Sequence, residues 1–121
     1  MLFQHTLDLV LSGRKTKTSR LVSPDHAAEV DANGGITTVL VNGREKYRVG
    51  KTYAVQPARG KPAVARIRLT GIERKQVSEI SAEEAAAEGY ASREAFFEAW
   101  HHIHGEHKHQ ADVWVLSFEL V

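Results

Sequence analysis

The period of the apolar positions changes several times along the chain. Between Gln4 and Gly13, Leu7, Val10 and Leu11 recur at helical spacing, and Gly13 is placed to cap a short helix in the left-handed conformation. From Lys15 to Arg20 lysine, threonine and serine alternate with no helical stripe, which predicts a strand. Ser23-Pro24-Asp25 and Asn33-Gly34-Gly35 bracket a polar excursion that reads as a surface loop. Ile36 to Val41 is β-branched and runs into Asn42-Gly43, a tight-turn signal. Further strands are predicted at Thr52–Gln56 and Ala63–Ile72, separated by the Pro57–Pro62 loop.

Helical chemistry returns at Ser81-Ala82-Glu83-Glu84, where Ser81 can cap the helix while Glu84 reaches back to it. Ala85, Ala86 and Ala87 favour continuation, and Gly89 ends the helix. Ser92 can cap a second helix carrying Phe96, Phe97 and Trp100, an aromatic stripe that reads as core. From Asp112 to Val121, Trp114, Leu116, Phe118 and Leu120 alternate with a second set of side chains, as in a core strand with one strongly apolar face. Several strands with a few helices predict an α+β fold, its sheet closed into a small β-barrel with flanking helices. No repeats or linkers divide the 121 residues, so one domain over residues 1–121 is expected.

Composition narrows the classes open to such a domain. Hydrophobic residues make up 42% and charged residues 26%, the balance of a globular protein with a real core. The absence of cysteine excludes disulfides, thiolate chemistry and cysteine-based zinc sites. No apolar run is long enough to cross a bilayer and no signal-like segment opens the chain, which makes the cytoplasm the expected location. The net charge is only +1, but it is unevenly spread. Ten Lys or Arg face two Glu between Arg44 and Lys75, whereas six Glu face Arg93 alone between Glu79 and Glu98. A fold built from these segments has a basic side able to hold phosphates, or simply a solvated strand face.

Four features then occur in order. Gly13-Arg14-Lys15-Thr16-Lys17-Thr18-Ser19-Arg20 has the form G-x-K-x-x-T-x-R. Tyr47-Arg48-Val49-Gly50-Lys51 leads into a strand, Glu88-Gly89-Tyr90 follows the acidic helix, and Trp114 to Leu120 closes the chain. Together they resemble the ASCH family, whose domain is similar to the PUA fold, a small β-barrel with helices over its openings. The resemblance spans nearly the whole chain, with Val22–Asn42 the least typical stretch. It implies a cleft between the first strand and the acidic helix, holding RNA or a small nucleoside. Some prokaryotic members are amidohydrolases that remove the acetyl group of N4-acetylcytidine. Lys15, Thr18 and Glu88 occupy the positions of their working residues. Other members are implicated in RNA binding or RNA cleavage, so one fold hosts several functions.

The residues themselves suit that chemistry. A threonine hydroxyl is a poor nucleophile at neutral pH and needs a base, which a lysine amine supplies if burial or neighbouring cations disfavour its ammonium form. Glu88 would protonate the departing amine, with Tyr90 and the aromatic helix providing the apolar surroundings that raise a carboxyl pKa. Arg20 would orient the base or neutralise developing charge, and neither metal nor other cofactor is required. Arg59 and Lys61, in a loop with two prolines and Gly60, suit a phosphate or a base edge, or form a charged hairpin without a ligand. Tyr47 suits base stacking or barrel packing, and Lys51 joins it and Lys15 as the groups a ribonuclease would use. His101, His102, His104, His107 and His109 invite a metal hypothesis, but Gly105 breaks helical spacing between them and a polar loop is the expected reading. One conflict is internal to this scheme: on a regular strand, Lys15 and Thr18 point to opposite faces.

Overall fold

The closing strand carries apolar side chains on both faces, and the fold is built around it. The computed structural model describes residues 1–105 and 110–121. Its elements run α1 (Leu7–Leu11), β1 (Lys17–Leu21), β2 (His26–Val30), β3 (Ile36–Val41), β4 (Arg44–Arg48), β5 (Thr52–Val55) and β6 (Ala65–Gln76). A 3-10 turn (Val77–Glu79), α2 (Ala82–Ala87), α3 (Arg93–His104) and β7 (Asp112–Leu120) complete it. No helix among the described residues is long and apolar enough to cross a membrane.

All seven strands form one antiparallel sheet in the order β1-β7-β6-β3-β2, with β4 added to β3 and β5 to β6. The long β6 makes this branching possible, because its start pairs with β5 while its further course pairs with β7 and, at Ile72, with β3. The α+β class with flanking helices is as expected, but the sheet is not closed. Among the described residues no ladder joins β1 to β2. The outer edge of β1 is instead met by the end of α2, where the Glu88 carboxylate accepts from the Ser19 N–H at 3.1 Å.

On β7, Trp114, Leu116 and Phe118 join Val39, Val55, Ile67 and Leu69 in one core. Val113 and Val115 face the other way, into a second core with Ile80, Ala85, Phe96 and Trp100 beneath α2 and α3. The strand is therefore apolar on both faces, and Leu120, expected inside, is exposed at its end. Two strands escaped the sequence pattern. The supposed loop between Ser23 and Gly35 contains β2, and the charged stretch after Asn42-Gly43 is β4. Both lie at the margin of the sheet with mostly solvated side chains, so neither shows apolar alternation. The tight turn itself is as read: Asn42 and Gly43 have φ of 51° and 78°, as a two-residue hairpin of the I′ kind requires.

The capping box of α2 also forms, with Ser81 Oγ accepting from Glu84 N–H and Glu84 Oε1 from Ser81 N–H. Its other end closes as a Schellman motif: the Gly89 N–H donates to Ala86 O and the Tyr90 N–H to Ala85 O. Gly89 has a φ of 98°, and a Cβ there would sit 2.5 Å from Leu9 Cδ1. The backbone conformation thus demands glycine, and a Cβ would also have to push aside the end of the Leu9 side chain. Gly89→Ala is expected to destabilise the fold by about 1–3 kcal/mol in urea unfolding. Adding Leu9→Ala should relieve only the steric share, leaving the strained φ uncorrected, so a double-mutant cycle reads the two apart.

Candidate active site

Thr16 is where the site begins. Its N–H donates to Ala87 O at 2.7 Å and its carbonyl accepts from the Phe118 N–H at 2.9 Å, clamping the loop before β1 between α2 and β7. The preceding Lys15 N–H donates to Leu9 O. β1 starts only at Lys17, so Lys15 lies on this clamped loop and not on the strand. Strand alternation therefore does not apply to the pair, and Lys15 and Thr18 line the same cavity. That removes the conflict in the sequence reading.

The cavity measures about 260 Å3. Lys15, Thr18, Ser19, Arg20 and Glu88 supply its polar wall, and Tyr90, Phe96 and Trp100 an aromatic one, with the Leu2–Thr6 segment completing the lining. The aromatic wall is a packed unit: Tyr90 and Phe96 meet edge to face at 5.6 Å, and Phe96 stacks on Trp100 at 6.1 Å. Such surfaces bind planar, polarisable ligands.

Lys15 and Glu88 are 4% and 3% exposed, an unusual depth for charged residues. Lys15 Nζ donates to Glu88 O at 2.9 Å and lies 3.9 Å from Glu88 Oε1. The ammonium thus caps the carbonyl end of α2, a favourable place for a cation. Burial nevertheless lowers the Lys15 pKa to about 8, with Glu88 opposing the shift and Arg20 adding to it. Burial pushes the Glu88 carboxyl above its ordinary value, against Lys15, two Ser19 hydrogen bonds and Arg20. The Ser19 N–H donates to Oε1 at 3.1 Å and the Ser19 hydroxyl to Oε2 at 2.6 Å. Arg20 Nη2 donates to Leu2 O, its guanidinium lies 5.1 Å from the Phe3 ring centroid, and its buried Nε has no partner among the described residues. An amine whose pKa burial lowers to about 8, a buried hydroxyl residue and a carboxyl whose pKa burial raises thus line one cavity.

Tyr47, Lys51, Arg59 and Lys61, also singled out from the sequence, do not line this cavity. Tyr47 is buried in the main core, its ring 6.5 Å from Tyr53, and borders a second depression that Arg20 also reaches. Lys51 is exposed and bound to Glu45 at 2.7 Å. Arg59 and Lys61 are exposed on the loop after β5. His101, His102 and His104 belong to α3 and not to a loop, and His104 packs on Trp100 at the cavity. His107 and His109 lie outside the described residues, among which no three metal-binding side chains cluster. Sequence reasoning missed Ser19, although it stands inside the G-x-K-x-x-T-x-R stretch, and missed the Leu2–Thr6 wall, which carries no motif.

The family model for the ASCH domain matches residues 2–121. No curated protein matches the chain. Among solved structures it is similar to protein EF3133 from Enterococcus faecalis V583, with a TM-score of 0.61 and 20% identity over 94% of this chain and 68% of that one. It is similar to an ASCH domain from Lactobacillus crispatus JV V101, with a TM-score of 0.56 and 21% identity over 93% and 68% of the two chains. A third likeness, to hypothetical protein PH0355, has a TM-score of 0.64 and 14% identity over 100% and 96%. At these identities the likenesses establish the fold.

The two buried groups have opposite stability signatures. Lys15 binds its proton more weakly folded than unfolded, so its contribution to stability grows as pH rises from about 8 towards the ordinary lysine value. Glu88 binds its proton more strongly folded, so its contribution is greatest below the ordinary carboxyl value and declines as pH rises through the folded one. Urea unfolding of the wild type and Lys15→Met should therefore diverge above pH 8, the wild type gaining on the order of 3 kcal/mol relative to the variant. Parallel curves across that window would mean the amine is not held in a disfavoured state.

Proposed function

The chain belongs to the ASCH domain family, a PUA-like fold family often proposed to bind RNA, and from this we propose that its cavity hydrolyses an acylated exocyclic amide of a nucleoside, N4-acetylcytidine or a close analogue. The observation that carries this reading is the convergence of Lys15, Thr18 and Glu88 on one cavity with an aromatic wall. Its polar groups are those an acyl transfer needs. The fold alone would support binding without chemistry. The lowered Lys15 pKa favours catalysis, because the neutral amine is then roughly a tenth of the population at pH 7.

In the reactive form Lys15 is neutral and Glu88 protonated. Lys15 Nζ takes the Thr18 hydroxyl proton as Oγ1 attacks the acyl carbonyl carbon. Arg20 steadies the negative charge that develops nearby. The carbon–nitrogen bond breaks as Glu88 gives its proton to the leaving nitrogen, and the acyl group stays as a Thr18 ester. Water then attacks that ester, losing a proton to the Glu88 carboxylate, while the Lys15 ammonium returns its proton to Thr18 Oγ1. Acid, base and nucleophile all regain their starting states.

The reactive form carries one proton on the Lys15–Glu88 pair, the same count as ammonium plus carboxylate. Its share of the protein therefore peaks between the two titrations and falls above about pH 8. Hydrolysis of N4-acetylcytidine should follow this bell, and Lys15→Ala, Thr18→Val and Glu88→Gln should each lower kcat by about 100-fold or more. Residual activity of Glu88→Gln should lose the bell and rise with pH, since only the amine then titrates. Absence of turnover by the folded wild type would remove this substrate. Binding to polynucleotide that weakens steeply with salt would then favour an RNA-binding role for the basic β4–β6 surface, and cleavage of that RNA a ribonuclease.

A further inference from the structure

A buried carboxyl that must act as an acid in one step and as a base in the next needs a partner that tolerates both states. The two oxygens of Glu88 have different partners. Oε1 accepts from the backbone N–H of Ser19, which can only donate. Oε2 meets the Ser19 hydroxyl at 2.6 Å, a group able to donate or to accept. The short contact suits a hydrogen bond with an ionised partner. The serine lies on β1, whose other edge is paired along its length with β7, so its outward N–H is available to the end of α2.

We propose that Ser19 is the positioning residue for Glu88, its N–H fixing Oε1 while its hydroxyl turns from donor to acceptor as Oε2 gains the proton. The carboxyl then holds one orientation through the whole cycle, and Oε2 is the oxygen that carries the proton, its O–H turning from Ser19 Oγ to the leaving nitrogen at the moment of transfer. This rests on the acid role given to Glu88 above. It adds a residue that acts through Glu88.

The other charged or titratable groups around Glu88 are Lys15 on the clamped loop, Arg20 on β1 and Tyr90 after α2, with His5 and His104 lining the same cavity from the N-terminal segment and α3. Lys15 and Arg20 already donate to the backbone carbonyls of Glu88 and Leu2, whereas both Ser19 donors are directed at the Glu88 carboxylate.

The test is the Glu88 side-chain carboxyl titration, followed by carbon-13 NMR on the full chain, beside the pH profile of hydrolysis. Removing a donor that favours the carboxylate, Ser19→Ala should raise the Glu88 midpoint by about one pH unit, and the acidic limb of the profile should move with it. Ser19→Thr keeps a hydroxyl and should restore both midpoints to the wild-type position. If Ser19→Ala does not fold, the comparison of Ser19→Val with Ser19→Thr decides, since the two have nearly the same shape on a strand and differ in the hydroxyl. An unchanged Glu88 midpoint in Ser19→Ala or Ser19→Val overturns the inference. A shifted midpoint in a protein that hydrolyses no acylated nucleoside leaves the Ser19–Glu88 coupling standing and removes the amidase reading instead.

Discussion

The end of α2 is held against the loop before β1 by hydrogen bonds that neither segment can satisfy alone. Thr16 reaches Ala87 with its N–H and receives Phe118 at its carbonyl, while Lys15 spends its ammonium on the carbonyl of Glu88. Buried backbone groups must find partners, so this clamp sets where α2 ends and where β1 can begin. Gly89 follows from it, because the chain leaves the helix there at a φ of 98°, which favours glycine. So does the open sheet: the edge of β1 that a closed barrel would pair with a strand is met by Glu88.

The same clamp creates an energetic burden. Burying an amine and a carboxylate strips both of water, and their separation of 3.9 Å returns only part of what hydration supplied. Each group consequently leans towards its neutral form. A site selected for stability alone would replace the pair with apolar residues of similar volume, as buried ion pairs often allow. Their place at the wall of a cavity, beside an arginine whose Nε has no partner among the described residues, makes the pair a candidate functional site. Ser19 makes the arrangement tolerable by giving both carboxylate oxygens a donor.

β7 links this local arrangement to the whole fold. Its two apolar faces join the sheet core to the helical layer, so α2 and α3 are pressed onto the strand beside β1. Phe96 and Trp100 serve both layers, packing against Val113 and Val115 while showing part of their surface to the cavity. A core of this type tolerates wide substitution as long as volume and patterning are kept. Solved structures only 14% to 21% identical to this chain therefore share its fold, and their likeness leaves its chemistry open.

Much of this was legible in the order of the residues because it depends on local chemistry. The capping box at Ser81 and Glu84, the glycine stop at Gly89 and the Asn42-Gly43 turn are short-range signals, and each forms; β7 is a strand as read, but with both faces apolar. The G-x-K-x-x-T-x-R stretch and Glu88-Gly89-Tyr90 marked the residues that meet at the cavity. Edge strands β2 and β4 were invisible because solvated side chains carry no alternation. Nor could spacing place Tyr47, Lys51, Arg59 and Lys61 away from the cavity, since that depends on which strands pair. The sequence by itself determined which groups are present and how most local segments turn. Tertiary structure alone decided that Lys15 leaves the strand, that Ser19 faces Glu88, and that amine and carboxyl lose their water. Those outcomes depend on contacts between segments some seventy residues apart, and hydration is a property of the assembled site.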